Sequence, residues 1–271
     1  AAGHFTMGIP HSMLAGQEEN VFYIGLALLC MGNGLFKPNI STMVGDLYTE
    51  GDQRRDGAFT IFYMGINMGA ALGSLLCGYL GMHPDYGWSY GFGAAGVGML
   101  LGLVVFIWGK PLLLGRGEPK DPAALKGGRE IGIYAVGLAM VGLCWLAIQY
   151  QELVGWVLAV FGLGLVTYVL WIAVAKLPAE ERDRIFAAMF LIFVSIVFWA
   201  LFEQAGSSLN LFTDRHVDRS IVGFEPTAAM FQSLNAIYIV LLAPVFAGLW
   251  LWLGRRGWEP STPMKFGLGV V

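Results

Sequence analysis

The sequence predicts an all-α, polytopic membrane bundle. Three observations predict it. Charged residues make up only 13% of the 271 positions and the mean hydropathy is +0.64, whereas a soluble domain carries roughly 25% charged residues. Apolar runs recur along the chain, each long enough to cross a hydrocarbon core that takes ~20 residues of helix. Lys and Arg gather in alternate loops, which is the charge pattern of a multi-pass protein.

The first complete runs cover residues 21–48, 58–80 and 88–108. A stretch rich in Pro, Gly and charge follows and reads as the joint between two halves. The runs at 131–148 and 154–175, with a short turn between them, form a helical hairpin with no ionisable residue inside its apolar segments. Later runs cover 185–212, expected as one helix, and 230–253. Residues 1–9 read as the tail of a further span and 265–271 as the start of another, so both ends are expected to be cut and the chain to be partial. Gly65, Gly69 and Gly73, and likewise Gly98 and Gly102, have the small-xxx-small spacing that lets helix backbones approach.

Orientation follows from the loops. Arg54 and Arg55, then Lys110, Arg116, Lys120, Lys126 and Arg129, then Lys176, Arg182 and Arg184, then Arg255 and Arg256 alternate with loops that hold only Arg215 and Arg219. The richer side is assigned to the cytoplasm.

Several function classes find no support. No basic patch suggests nucleic acid. Cys30, Cys77 and Cys144 all lie in apolar runs, without a Cys-x-x-Cys signature. His4, His11, His83 and His216 show no i, i+4 metal spacing. No nucleophile elbow and no phosphate loop occur, so an enzyme, a metal and a bound cofactor are not expected.

The chemistry gathers at charges placed in apolar runs. Glu203 lies in 198–212, FWALFEQAGSSLNLF, and Lys37 in the run at 21–48. A charge at the centre of a span costs roughly 2.5–3.5 kcal/mol on insertion scales, so it needs a partner, a proton or water. The plainer alternative for Glu203 is a helix end that reaches water. Side chains four apart share a helix face, which pairs Asn33 with Lys37, Tyr63 with Asn67 and Trp199 with Glu203; Gln232 and Asn235 pair at i, i+3. Each amide alone reads as interhelical hydrogen bonding. Together with a cation and a carboxylate, these faces suit a wet cavity for a zwitterion.

At these residues the sequence resembles the proton-dependent oligopeptide transporters (POT/PTR) of the major facilitator superfamily, bacterial type. The resemblance is carried by GNGLFKPNISTMVGDLY (32–48), DQRRDGAFTIFYMGINMGA (52–70), FWALFEQAGSSLNLF and FQSLNAIYIVLLAPVFA (231–247), in order and over essentially the whole chain. It implies a partial major-facilitator-type bundle, from the end of helix three to the start of helix nine. Residues 1–109 would belong to the N-terminal bundle, 110–130 to a cytoplasmic linker, 131–175 to an extra transmembrane hairpin and 176–271 to the C-terminal bundle. It implies proton-coupled symport of di- and tripeptides across the bacterial inner membrane, with protons as the coupling ion and no other cofactor.

In that family the positions of Lys37 and Glu203 serve substrate-carboxylate recognition and proton coupling, and those of Asn67, Trp199 and Asn235 line the pocket. Tyr63, Asn33 and Gln232 join the candidate substrate-binding set from their shared faces. Phe202 departs from members that carry a second acidic residue there, and the family's Glu-x-x-Glu-Arg motif on helix one is not among these residues. The alternatives are a carrier of another zwitterionic or anionic solute in the same family, or a membrane assembly subunit that transports nothing.

Overall fold

The computed structural model describes residues 1–49, 52, 54–118, 128–220 and 223–270. Among them, seven stretches are long and apolar enough to cross a membrane. The chain divides into two compact units, 1–149 with 219–241, and 150–218 with 242–271.

The first unit opens with a short helix, α1 (Ala2–Met7), and a 3-10 turn at His11–Met13. α2 (Glu18–Asp46) and α3 (Arg54–Met82) each run 29 residues, about 43 Å at 1.5 Å per residue and so longer than the hydrocarbon core. Glu18 and Glu19 stand in the first turn of α2, where carboxylates complement the helix dipole. α4 (Trp88–Gly109) follows the turn at Gly87, whose φ of 79° is one that L side chains rarely adopt. α5 (Arg129–Gln149) packs on α2, and α1 packs on both α2 and α4. The linker expectation falls partly on residues 119–127, outside the described residues; before them, Lys110–Leu113 form a 3-10 turn and Lys110 pairs with Glu118.

Close helix contacts decide the packing of this unit. A Cβ on Gly3 would lie 2.6 Å from the Gly25 carbonyl, tying α1 to α2. A Cβ on Gly81 would lie 2.5 Å from the Trp88 ring, and one on Gly91 would lie 2.9 Å from the Cys77 carbonyl, which locks α3 to α4. The expected stripes do otherwise: a Cβ at Gly65, Gly69, Gly73, Gly98 or Gly102 would meet nothing within 4 Å among the described residues. Spacing marks a small face, but the tertiary arrangement decides whether a neighbour uses it.

The 3-10 turn Ala228–Phe231, which leads into α9 (Gln232–Arg255), seats on α3. The Thr227 hydroxyl donates to the Gly78 carbonyl at 3.2 Å, and Ala228, Ser233 and Ala236 are buried.

In the second unit α6 (Gln151–Ala175) packs on α7 (Ala179–Phe202). Glu180 and Glu181 occupy the first turn of α7, and Arg184 pairs with Glu180 at 2.7 Å. The chain then takes a 3-10 turn, Glu203–Gly206, and a nine-residue helix, α8 (Ser208–His216). The continuous helix expected over 185–212 is therefore two helices with a joint. After Leu241 the rest of α9 belongs to this unit, together with α10 (Thr262–Val270).

The surface is apolar almost throughout: Trp108 is 79% exposed, Phe161 76% and Trp156 71%, while the buried hydrophobic side chains are chiefly alanines. Such a surface suits a helical protein whose backbone bonds are made internally and whose outer side chains meet lipid.

Candidate functional site

Six of the eight candidate residues lie in the first unit. Asn33 and Lys37 are one turn apart on α2, and both are exposed. Pro38 sits directly after Lys37 inside the helix. A proline lacks the N–H that would bond the carbonyl four residues back, here that of Gly34, and its ring crowds that carbonyl. Polar side chains bond backward around this point: the Asn39 amide donates to the Leu35 carbonyl at 2.6 Å, the Ser41 hydroxyl to Lys37 at 3.1 Å and the Thr42 hydroxyl to Pro38 at 2.9 Å. α2 continues unbroken through the proline.

On α3 the Asn67 amide donates to the Tyr63 carbonyl at 2.8 Å, so it is held against its own helix, half-buried. Tyr63 is 56% exposed, and its ring meets Phe62 edge-on at 5.6 Å. Gln232 opens α9 half-buried. Asn235 is exposed, on the side of α9 away from the buried Ser233 and Ala236.

The second unit holds Trp199 and Glu203. The Trp199 ring is 54% exposed and lies edge-on to Phe202 at 5.4 Å and to Phe198 at 5.5 Å. Glu203 is the residue at which α7 ends, with φ −68° and ψ −12°. Trp199 and Glu203 stand one turn apart at the end of α7, and the chain tightens into a 3-10 turn only from Glu203 onward. Among the described residues neither Lys37 nor Glu203 has an ion-pair partner, and both are exposed.

Gln204, Ser207 and Ser208 were not among the candidates. They form the polar joint between α7 and α8, where the Gln204 amide donates to the Ala200 carbonyl at 3.1 Å and accepts from the Ser208 hydroxyl at 2.6 Å. The available signal was Gly206-Ser207-Ser208, a turn-type cluster inside the apolar run.

Long apolar helices, with a cation and a carboxylate each placed beside a backbone irregularity, define a multi-pass membrane protein. The family model of the POT family matches residues 1–271. An uncharacterized transporter of Bacillus subtilis, YclF, is 38% identical over 278 residues, covering 99% of this chain and 54% of its own. The peptide transporter YePEPT of Yersinia enterocolitica is 34% identical, covering 100% and 55%. Among solved structures, a mutant of a peptide transporter POT in complex with alafosfalin aligns with TM-score 0.75 at 38% identity, over 99% of this chain and 54% of that one. A POT family transporter in complex with 5-aminolevulinic acid aligns with TM-score 0.69 at 30% identity, over 99% and 56%. This chain belongs to the POT family, and its fold is the helical bundle of those transporters. It is a multi-pass inner-membrane protein. The chain spans about half the length of the curated relatives it matches.

Proposed function

We propose that the protein carries di- and tripeptides together with protons by alternating access, and that it is a carrier and not an enzyme. The observation that carries this is the family match along all 271 residues, supported by relatives that are peptide transporters and di- and tripeptide permeases. In such carriers the site lies between two repeats, and access switches as one rocks against the other.

The residues take roles that suit their chemistry. The Lys37 ammonium, unpaired among the described residues, is suited to a peptide carboxylate. Asn33, Asn67, Gln232 and Asn235 offer amides that can meet a peptide's own amide groups, while Tyr63 and Trp199 supply aromatic walls. Glu203 takes and releases the coupled proton. A carboxylate whose access to water changes during a cycle changes its hold on a proton, because desolvation disfavours the charged form. A second reading is a small amino-acid-like solute, favoured by the solved relative that holds 5-aminolevulinic acid.

The test is uptake of a labelled dipeptide by the full-length protein in liposomes under an inward proton gradient. Saturable, gradient-dependent uptake is expected. Glu203→Gln should abolish it while sparing counterflow exchange, since the amide mimics the protonated acid and cannot cycle. Unchanged gradient-driven uptake in Glu203→Gln removes Glu203 from the coupling path, and competition only by 5-aminolevulinic acid and not by peptides would favour the second reading.

A further inference from the structure

The joint between α7 and α8 falls inside Ala179–His216, a stretch apolar enough to cross the membrane. Ending one helix there and starting another frees backbone groups that lipid cannot satisfy. The structure accounts for several of them. The carbonyls of Trp199 and Leu201 accept backbone N–H groups where α7 ends, the Ser207 N–H bonds to the Gln204 carbonyl at 3.1 Å, and the Leu211 N–H to the Ser207 carbonyl at 3.0 Å. The Ala200 carbonyl, one turn inside α7, takes the side-chain amide of Gln204 at 3.1 Å.

The other end of the same amide faces the next helix. Its carbonyl oxygen accepts the Ser208 hydroxyl at 2.6 Å, with the Ser207 hydroxyl more distant at 3.5 Å. Ser208 is the first residue of α8. One planar group therefore joins the last turn of α7 to the first turn of α8, and the residue directly before it in the chain is Glu203. A splint so placed fixes the backbone on which the carboxylate is carried. A glutamine suits the task because it offers a donor and an acceptor from a single side chain and carries no charge into the span.

We propose that Gln204 is the positioning residue of the coupling carboxylate: by splinting the α7–α8 joint it holds Glu203 where it can exchange its proton. This rests on the coupling role proposed above for Glu203. The competing account is that Gln204 only satisfies freed backbone groups, in which case its loss should weaken every activity of the protein alike.

Gradient-driven uptake and counterflow exchange of a labelled dipeptide separate the two accounts. They are measured on the full-length protein in liposomes, alone and in the Glu203→Gln background. Gln204→Leu keeps the bulk and removes both bonds. It should lower gradient-driven uptake roughly tenfold, the scale of one to two net hydrogen bonds, while counterflow changes less than about threefold on the same scale. In the Glu203→Gln background it should add nothing to the remaining counterflow, because groups that act through one another are not additive. Ser208→Ala removes one tie and leaves the backbone untouched. It should shift uptake in the same direction by about threefold, and it decides the matter if Gln204→Leu does not fold.

Parallel loss of both activities, or an added loss of counterflow in the Glu203→Gln background, overturns the proposal. If Glu203→Gln uncouples as expected but Gln204→Leu and Ser208→Ala are silent, the splint falls and the coupling role stands. If Glu203→Gln itself leaves uptake unchanged, the coupling role falls first and takes the positioning role with it.

Discussion

The two charged residues of the candidate site each sit beside an irregularity, and the two irregularities are of opposite kinds. At Lys37 the next residue is a proline, yet α2 runs on as one helix from Glu18 to Asp46. At Glu203 there is no proline, yet α7 stops at Phe202 and α8 starts afresh at Ser208. The first is a missing donor in an otherwise intact ladder, and around it the side chains of Asn39, Ser41 and Thr42 bond one turn back to the carbonyls of Leu35, Lys37 and Pro38. The second is a true end and a true beginning, joined by the side chain of Gln204. A proline thus marks a weak point without requiring a break, and a break needs only small and polar residues with a side chain able to bridge it. Both devices place a charge next to backbone groups that are not locked in a perfect helix, the kind of backbone that membrane depth tolerates only where protein or water meets it.

The largest test of this contrast puts new prolines on either side of the α7–α8 joint. Ala200 lies inside the last turns of α7, where a proline removes a helix bond and crowds the preceding turn; Ala200→Pro should cost about 3 kcal/mol. Ser208 is the first residue of α8, a position whose N–H has no helical partner and where proline is favoured. Ser208→Pro should therefore cost no more than about 1 kcal/mol, through the lost hydroxyl bond to Gln204. Thermal unfolding of the two purified variants in the same detergent gives the comparison. Equal and severe losses would mean that the helix runs through position 208.

How much of this could be read beforehand depends on which physical signal carries it. The spans were legible because apolar runs of the right length have few other uses, and α2 through α6 and α9 begin and end within a few residues of the runs, whereas α7 starts at Ala179 and ends at Phe202 against a run read as 185–212. Lys37 and Glu203 were legible because a charge in such a run stands out. The joint after Phe202 was not, since the apolar run Phe198 to Phe202 before it and Leu209, Leu211 and Phe212 after it outweigh the Gly206-Ser207-Ser208 cluster between them. Gln204 was not legible at all, because its role exists only once the break exists. The glycines show the same limit. Gly65, Gly69 and Gly73 have the right spacing but no close neighbour among the described residues, whereas Gly3, Gly25, Gly81 and Gly91, which spacing does not single out, make the close contacts.

A middle-sized effect probes the proline side of the contrast. If the Asn39 amide supports a turn loosened by Pro38, then Asn39→Leu should cost about 1 kcal/mol, the net worth of one hydrogen bond. Its cost should shrink by half or more in a Pro38→Ala background, where the ladder has its N–H again and the turn needs less help; such coupling is the mark of residues that share one function. The readout is the shift of the thermal midpoint for both single variants and the double variant. Strict additivity would show that Asn39 and Pro38 act independently and that α2 tolerates its proline for some other reason.

The smallest effect comes from moving the same kind of side-chain-to-backbone tie out of the membrane. Ahead of α3, one carboxylate oxygen of Asp52 accepts the Arg54 N–H at 2.9 Å, and the other meets the Arg54 guanidinium at 2.8 Å. These bonds from Arg54 hold the Asp52 carboxyl down to about 2, from an ordinary value of 3.8. The sign follows: a carboxyl whose value is lowered by folding contributes fully above 3.8, and the contribution is lost as pH falls through about 2. Between pH 5 and pH 3 the carboxyl carbon of Asp52, followed by NMR in selectively labelled protein, should therefore stay at its ionised shift, and Asp52→Asn should lower the thermal midpoint near neutral pH by less than Asn39→Leu does, because the amide oxygen can still accept the Arg54 N–H. Water can replace a lost partner in this loop, whereas lipid at the level of Gln204 cannot. A titration of Asp52 centred near 3.8 would show that the tie to Arg54 is not held in solution. An Asp52→Asn midpoint shift as large as that of Asn39→Leu would show that water access does not separate the loop from the spans, and the contrast between the two settings would lose its physical basis.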